Sequence, residues 1–393
     1  MKLKQFGALF IIQVAFNSTG GSIGALLPVF AGKLGADPSS IGLLFSLVFA
    51  GFVVGILFAG WLSDRWQHRK VLLIVGAILS TITVAASGLS TNLIQLTLLA
   101  TFSTLSNGMA VAMTNTLAGL SAGEAERGRV FGILASTGGI GMLIGGLVSG
   151  PVVDRFGYSG LFIVAALFNA IMPIGALFLE DRKIQRVAGP RRETSSVYSI
   201  VQSRGFILLV VASVIAFAIN GMQSLARSLI MDQGHFLAAD ISSTVAVAGL
   251  VSIPFPLVIG WLSDRVGRKS LIIVGYLATA ACVLVLSIST SLWHFWLSTA
   301  LATLTGASFA VSLAMVTDLV PAEGLGTGMA LFGVTSFIGL IIGSELAGTA
   351  IQGLGMSPSL LLGGLSGAIA AVLVVLIRRP ARVTAEVPAG EPA

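Results

Sequence analysis

The sequence has few charged residues, one cysteine and three histidines. Asp, Glu, Lys and Arg make up 10% of its 393 residues, whereas ordinary globular domains carry about 25%. A lone Cys282 and scattered histidines exclude a disulfide framework and a His/Cys metal cage. The net charge is +6, but the basic residues stand singly between apolar runs, which excludes a nucleic-acid-binding face. We expect no cofactor and no enzyme activity, because no Ser-His-Asp set or phosphate loop is present.

Long apolar runs fill the sequence instead. Hydrophobic residues make up 55% of the chain and the mean hydropathy is +0.98. A membrane helix needs roughly 20 apolar residues, and barrel strands are only about half as long. The runs therefore predict an all-α membrane protein with twelve transmembrane helices. The predicted spans are residues 6–30, 39–62, 71–90, 93–118, 130–153, 158–179, 205–231, 241–262, 271–290, 295–317, 326–352 and 356–377.

The chain contains an internal repeat. The hexapeptide GWLSDR occurs at 60–65 and again at 260–265, and later glycines recur in register, such as Gly145 and Gly343. Two parallel six-helix halves of this kind are an architecture of secondary transporters. The predicted divisions are an N-terminal bundle at 1–180, a cytoplasmic linker at 181–204, a C-terminal bundle at 205–378 and a tail at 379–393.

The positions of Lys and Arg predict the orientation in the membrane. With a cytoplasmic N-terminus, only Lys33 and Arg155 lie outside, Arg227 lies within a span, and every other basic residue lies inside. Cytoplasmic loops carry such an excess of Lys and Arg. We therefore expect an integral protein of the inner (plasma) membrane with both termini in the cytoplasm, in contact with the lipid bilayer and acting as a monomer.

The repeated motif resembles the signature of the major facilitator superfamily, Gly-x-Leu-x-Asp-Arg-x-Gly-Arg-Lys/Arg. The copy at 260–269 matches in full, whereas the first copy has Gln67 and His68 in place of Gly-Arg. The resemblance implies two six-helix bundles, alternating access and a charge network that holds the cytoplasmic gate closed. The basic members also fit simple positive-inside anchors, so the aspartates distinguish the two interpretations. The implied gating residues are Asp64, Arg65, Arg69, Asp264, Arg265 and Arg268.

Polar residues inside the spans are candidates for solute binding. Arg227 shares one face of the seventh span with Asn220 and Gln223, and a buried charge is costly enough to indicate a function. An anionic solute group is the expected partner of Arg227, and helix–helix hydrogen bonding is the alternative. In the family, the first, fourth, seventh and tenth helices line the central cavity. The candidate substrate-binding residues are Asn17, Thr104, Asn107, Asn220, Gln223, Arg227 and Thr303.

Glu345 is the internal carboxyl that could carry protons. A carboxyl in a low-dielectric site has a raised affinity for protons, and the equivalent position in the first half is Leu147. The alternatives for Glu345 are a static ion pair with Arg227 or an orientation towards the outer surface. Thr104 stands where many proton-coupled members of the family have an arginine, so the resemblance leaves coupling open.

The function expected from these features is secondary active transport of a small organic solute by alternating access. The strongly hydrophobic spans favour proton-coupled efflux of amphipathic compounds. Arg227 favours the alternative of uptake or uniport of an anionic metabolite, and a translocase of lipid-like substrates is a further alternative. A non-transporting receptor is the least favoured, because receptors usually add a soluble sensing domain.

Overall fold

The computed structural model describes residues 2–122, 126–181, 203–320 and 324–377. The described residues form helices and no strands. Most of the predicted linker at 181–204 and all of the predicted tail at 379–393 lie outside this part of the chain. The all-α prediction is confirmed.

The first half has six spans, two of them modified by breaks. The first span is interrupted at residues 25–26. Gly157, with φ 69° and ψ −173°, breaks the sixth helix into two spans; positive φ is accessible to glycine because it has no Cβ. The helices are α1 (Leu3–Gly24), α2 (Leu27–Lys33), α3 (Pro38–Trp66), α4 (Arg69–Ser87), α5 (Leu93–Ser121) and α6 (Arg127–Leu177).

The second half repeats this order. Its second span is interrupted at Ile253 and Pro254, since proline has no N–H for the helical ladder. Ten described helices are long and apolar enough to cross a membrane; α6 supplies two spans and α8 with α9 supplies a further one, so the prediction of twelve is confirmed. The helices are α7 (Arg204–Gln233), α8 (Ala238–Ser252), α9 (Phe255–Val266), α10 (Arg268–Ser287), α11 (Leu292–Leu319), α12 (Leu325–Leu354) and α13 (Met356–Val375).

Repeated glycines place the helices of each half in the same arrangement. A Cβ at Gly145 would overlap the Ser18 carbonyl of α1, and a Cβ at Gly343 would overlap the Ala218 carbonyl of α7. Small residues allow such close approach of membrane helices. The first and fifth spans of one half therefore pack as the seventh and eleventh spans of the other, which confirms the parallel repeat.

Two ends of the molecule can now be distinguished. The linker end is the end at which α6 finishes and α7 begins, and the far end is the opposite one. The halves meet mainly along two seams, α6 against α8 and α3 against α12. Three buried apolar clusters hold the helices together, one near the far end across both halves and one within each half.

Candidate transport pathway and gates

A carboxylate from the first half closes one seam at the far end. The two carboxylate oxygens of Asp154 accept hydrogen bonds from the backbone N–H groups of Ala238 (3.1 Å) and Ala239 (3.0 Å). These groups begin α8, where backbone N–H groups have no partner within the helix. The positive end of the helix dipole favours an anion there. Asp154 therefore joins the two halves by charge-assisted hydrogen bonds.

An amide from the second half closes the other seam at the same end. Gln352 Oε1 accepts a hydrogen bond from the Ser39 N–H (3.2 Å), and Gln352 Nε2 donates to Asp37 Oδ2 (3.1 Å). Asp37 also accepts a hydrogen bond from the Ser40 N–H at the start of α3. The hydrogen bonds from Ser40, the backbone one first, hold the pKa of Asp37 below its ordinary value.

The two far-end latches, Asp154 on α8 and Gln352 on α3, are related by the repeat. Asp154 and Gln352 are separated in sequence by the same number of residues as Gly145 and Gly343. Each accepts hydrogen bonds from backbone N–H groups at the N-terminus of the second span of the opposite half. The two halves therefore make equivalent contacts, one through a charged side chain and the other through a neutral amide.

Small residues bring the helices into backbone contact beneath the latches. A Cβ at Gly42 of α3 would overlap backbone atoms of Ser344 and Gly348 in α12. The Ser46 hydroxyl donates to the Ile341 carbonyl across the same seam (2.7 Å). Gly146 of α6 lies against Ala246 of α8 in the other seam. The far half of the interface is therefore tightly packed.

The contacts of the linker end differ from those of the far end. The hydrogen bonds between the halves named above all lie on the far side of the molecule. Asp64 and Arg65 are exposed, and Asp64 makes no ion pair with the described part of the chain.

Of the other implied gating residues, Arg268 contacts its own half, and the side chain of Asp264 is not among the described atoms. Arg69 is buried, and its Nε and Nη1 atoms have no partner among the described residues. Arg268 pairs with Asp318 of α11 at 2.9 Å. The backbone of Asp264 lies in α9, but its side chain is outside the described atoms; Arg265 beside it is exposed. The gating role of these residues stays a prediction.

A cavity of about 490 Å³ lies between the halves, towards the linker end. Its walls come from α6 of the first half and from α8, α9 and α11 of the second. Thr303 lies in this wall beside Gly306 and Ala307, and Gly138 and Met142 face them from α6. Small and apolar groups dominate, so the surface suits apolar parts of a solute.

A second cavity, of about 290 Å³, lies largely within the first half. We call it the first-half cavity. Thr104 and Asn107 of α5 line it together with Phe52 of α3 and Phe337 of α12. The Thr104 hydroxyl lies 2.8 Å from the Val48 carbonyl oxygen, so it is already partnered. Asn107 is buried, and its Oδ1 atom has no partner among the described residues.

The second half contains a buried polar cluster instead. Arg227 Nη1 donates to the Thr299 hydroxyl (3.2 Å), and Gln223 Nε2 donates to Ser298 (3.2 Å). Asn220 Nδ2 donates to the Ala302 carbonyl oxygen (3.1 Å). Arg227 is 4% exposed and its Nε has no partner among the described residues. These three side chains join α7 to α11.

The predicted substrate-binding residues therefore fall into separate groups. Thr104 and Asn107 share the first-half cavity, and Thr303 lines the cavity between the halves. Asn17 is half-buried, donates to the Gln13 carbonyl oxygen (2.8 Å) and packs against the backbone of α6. The structure does not bring all seven into one site.

Glu345 lies on the seam between the halves. Its position in α12 falls on the face that also carries Ile341, Gly348 and Gln352, all three in contact with α3. Glu345 forms no ion pair with Arg227, and its buried Oε2 atom has no partner among the described residues. The static ion pair considered from the sequence is absent between these two described residues.

Comparison with known proteins decides the family. The model of the Major Facilitator Superfamily matches residues 9–236 and 209–393. The chain belongs to this superfamily. It is a secondary transporter rather than an enzyme, and it moves small solutes across a membrane.

Individual relatives agree with this assignment. Multidrug resistance protein MdtG of Citrobacter koseri is 26% identical over 284 residues, covering 68% of each chain. The crystal structure of nucleoside transporter NupG superposes with a TM-score of 0.77 at 16% identity, covering 96% of this chain and 99% of NupG. A bacterial homologue of the lysosomal transporter Spinster, in an inward-facing and occupied conformation, gives 0.72 at 15% identity over 95% and 96%.

The superfamily signature did not point to the far-end residues. Asp37, Asp154 and Gln352 lie at predicted span ends, where polar residues are ordinary, and sequence reasoning missed them. A usable signal was present, because Asp154 and Gln352 occupy equivalent positions of the repeat. The aromatic pair Phe52 and Phe337, with ring centroids 5.6 Å apart across the halves, had no comparable signal.

Proposed function

We propose that this transporter exports amphipathic compounds from the cytoplasm across the inner membrane by alternating access. The observation that carries the proposal is closure at one end. The two far-end latches and the closely packed seams beneath them join the halves, whereas Arg268 at the linker end bonds within its own half. A molecule whose halves are joined at the far end in this way is one stage of a transport cycle.

The distribution of basic residues supports an orientation in which the linker end faces the cytoplasm. Lys70, Lys269 and the arginines of the repeated motif lie at the linker end, and such an excess marks the cytoplasmic side. Both termini then lie in the cytoplasm. The conformation is one that accepts solute from the cytoplasm, and a single chain suffices because it contains both halves.

The cavity walls support this class of solute. Apolar and small residues line both described cavities, and such surfaces stabilise apolar groups by removing them from water. The similarity to MdtG, which is named a multidrug resistance protein, supports the same class. Hydrophobic compounds that carry a polar group are the expected substrates.

We assign proton coupling to Glu345. It lies at the seam whose helices must separate when the far end opens, so its surroundings would alternate between packed helix and water. The stretch of α3 that faces it, residues 38–52, contains no ionisable residue. A carboxyl in such a site changes its proton affinity with its exposure, which is what coupling requires.

Proteoliposomes that contain the protein and an amphipathic dye test the proposal. An imposed pH gradient should drive dye accumulation, and Glu345→Gln should abolish this accumulation while exchange of dye continues. The control is Glu180→Gln, which removes an exposed carboxylate paired with Lys2 and should leave accumulation unchanged. Gradient-driven accumulation by Glu345→Gln would contradict the coupling role.

Uptake or uniport of an anionic metabolite is the second candidate. The buried Arg227, with its unpartnered Nε, is the observation that favours it. Arg227→Lys keeps the charge but not the planar fork of donors. If organic anions are the cargo, this variant should raise their half-saturating concentration without changing dye efflux.

A further inference from the structure

A pair of amide side chains joins the first and fourth spans of the first half, towards the linker end. Gln13 Nε2 of α1 donates a hydrogen bond to Asn115 Oδ1 of α5 (2.8 Å). Asn115 is exposed and Gln13 is half-buried. Both residues lie within the predicted spans 6–30 and 93–118, where a polar group in contact with lipid is costly. The amide pair therefore indicates a space inside the molecule that admits water or a solute.

The repeat identifies the space that the amide pair faces. Asn115 of α5 and Ala314 of α11 are equivalent, because they lie equally far from the N-cap of their helix. Ala314 lines the cavity of about 490 Å³ between the halves. Since the repeat gives both halves the same arrangement of helices, Asn115 faces the space between the halves from the opposite side.

The amide pair keeps hydrogen-bonding groups that a ligand can use. A primary amide has two N–H donors and an accepting oxygen, and the bond between the two residues uses one donor and one acceptor. Asn115 Nδ2 and Gln13 Oε1 make no hydrogen bond with another described residue. Neither of them is a buried atom, which distinguishes them from Asn107 Oδ1. One free donor and one free acceptor are thus carried by adjacent, accessible side chains.

The surroundings limit the group that can bind there. Residues 5–32 and 93–121, which include the amide pair, contain no ionisable side chain. A charged group away from bulk water is disfavoured when no opposite charge is near. The equivalent stretch of α11 presents Gly306, Ala310 and Ala314 to the same space. A solute between the halves would therefore meet a neutral polar wall on one side and an apolar wall on the other.

We propose that Gln13 and Asn115 form a polar subsite of the transport pathway that binds a neutral group with both a donor and an acceptor, such as the carboxamide of an aromatic amide. Gln13 Oε1 accepts a hydrogen bond from the carboxamide N–H, and Asn115 Nδ2 donates one to the carbonyl oxygen. An ester offers only the acceptor. The inference rests on the proposed export function, and it specifies the polar group of the exported compound.

Naphthamide and methyl naphthoate test the need for a donor, because they are similar in size and only the amide has N–H groups. For the full-length protein in nanodiscs, with binding to empty nanodiscs subtracted, we expect the amide to bind about fivefold tighter, as one hydrogen bond allows. The double variant Gln13→Met/Asn115→Leu should bind both probes equally. The control is Thr116→Val, since the Thr116 hydroxyl donates to the Ala112 carbonyl of its own helix; it should keep the preference. No preference in the wild type, or a preference that survives in the double variant, would overturn the subsite.

A gain of binding separates recognition from folding. Asn115→Asp puts a carboxylate of the same shape at an exposed position, where the Gln13 N–H can still donate to it. Naphthylmethylammonium should then bind about tenfold tighter than it binds the wild type, because hydrogen bonds between charged groups are the stronger ones. Asn92→Asp, at the N-cap of the same helix, is the matched control and should give no gain. An unchanged affinity of Asn115→Asp for the cation would overturn the subsite.

An export measurement separates this inference from the proposed function. Gradient-driven accumulation of an amphipathic dye by a wild-type protein without an amide preference would overturn the subsite and leave the export function standing. An amide preference that is lost in Gln13→Met/Asn115→Leu, in a wild-type protein that exports nothing, would support the subsite and overturn the export function.

Discussion

The two halves differ most where the repeat makes them comparable. The first span is oriented alike in both halves, because the equivalent residues Gly21 and Gly221 pack against Met142 in the fifth span and against Leu340 in the eleventh. The face that it turns towards the fourth span of its half is therefore the same. In the first half this face borders a cavity, and in the second it carries polar side chains that reach α11. The facing residues are Gly20, Ile23 and Leu27 in the first half and Asn220, Gln223 and Arg227 in the second.

This difference separates what the repeat determines from what individual side chains determine. Glycines at the helix contacts give both halves one backbone arrangement. The fourth span of each half differs in the same way. Ala100 of α5 and Thr299 of α11 lie at the same distance from the N-cap of their helix, but Ala100 lines the first-half cavity whereas Thr299 binds Arg227. We infer that the first half offers space to a solute and that the second half is stiffened by hydrogen bonds.

Exchanging one residue between the halves should have the largest effect. Leu27→Arg puts the residue found at Arg227 into the first-half cavity, where no carboxylate and no threonine equivalent to Thr299 is present. A buried charge without a partner costs about 3–5 kcal/mol, so the unfolding temperature should fall sharply. Adding Ala100→Thr should recover part of the loss. Wild-type stability of Leu27→Arg alone would show that the cavity is wet enough to hold a charge.

The two far-end latches sharpen the comparison, since both hydrogen bonds of Asp154 involve its own carboxylate, whereas only one of the two bonds of Gln352 involves a carboxylate, that of Asp37. A hydrogen bond to a charged group is worth about 1.5–3 kcal/mol and a neutral one about 0.5–1.5 kcal/mol. Asp154→Ala should therefore open the far end more than Gln352→Ala does. The measurement is labelling, by an impermeant thiol reagent, of a cysteine introduced at Gly24 in the cavity wall; the native Cys282 is buried. Equal labelling of the two variants would contradict the ranking.

The pH dependence of the far end should be small. The pKa of Asp37 is lowered from 3.8, so its contribution is present above the unfolded value and is lost only as the pH falls through the folded one. Over roughly pH 5 to 8 the Gln352 latch keeps its charged partner. The Gln352 latch should therefore add no pH dependence to labelling of the Gly24 cysteine in this range, so Asp37→Asn should show a pH profile of the wild-type shape. A response between about pH 5 and 8 that is present in the wild type and lost in Asp37→Asn would contradict this expectation.

The smallest change is expected when the second half is made more like the first. Arg227→Met removes a buried cation whose Nε has no partner among the described residues. Replacing buried charges with apolar groups is often neutral or stabilising by about 1–4 kcal/mol; here the lost Thr299 bond offsets part of this, so about 1 kcal/mol of stabilisation is expected in thermal unfolding. Strong destabilisation would show that the guanidinium holds α7 to α11.

The sequence predicted the fold better than the site for physical reasons. The number of spans is predicted by hydropathy, and the repeat is predicted by local motifs such as GWLSDR at 60–65 and 260–265. The first-half cavity depends on what α1, α3 and α5 leave unfilled, and no local pattern reports empty space. Asn107 was found because a polar residue in a span is costly. Phe52 and Phe337 were not, because phenylalanine in a membrane helix is ordinary.

Distances between spin labels at the two ends test alternating access most directly. Leu89 and Ile288 are exposed at equivalent positions of the far end, and Trp66 and Val266 are exposed at equivalent positions of the linker end. Weakening both latches with Asp154→Ala and Gln352→Ala should lengthen the 89–288 distance and shorten the 66–266 distance. If the far-end distance does not change, or if both distances change in the same direction, the latches do not hold this conformation and the account of one-sided closure is wrong.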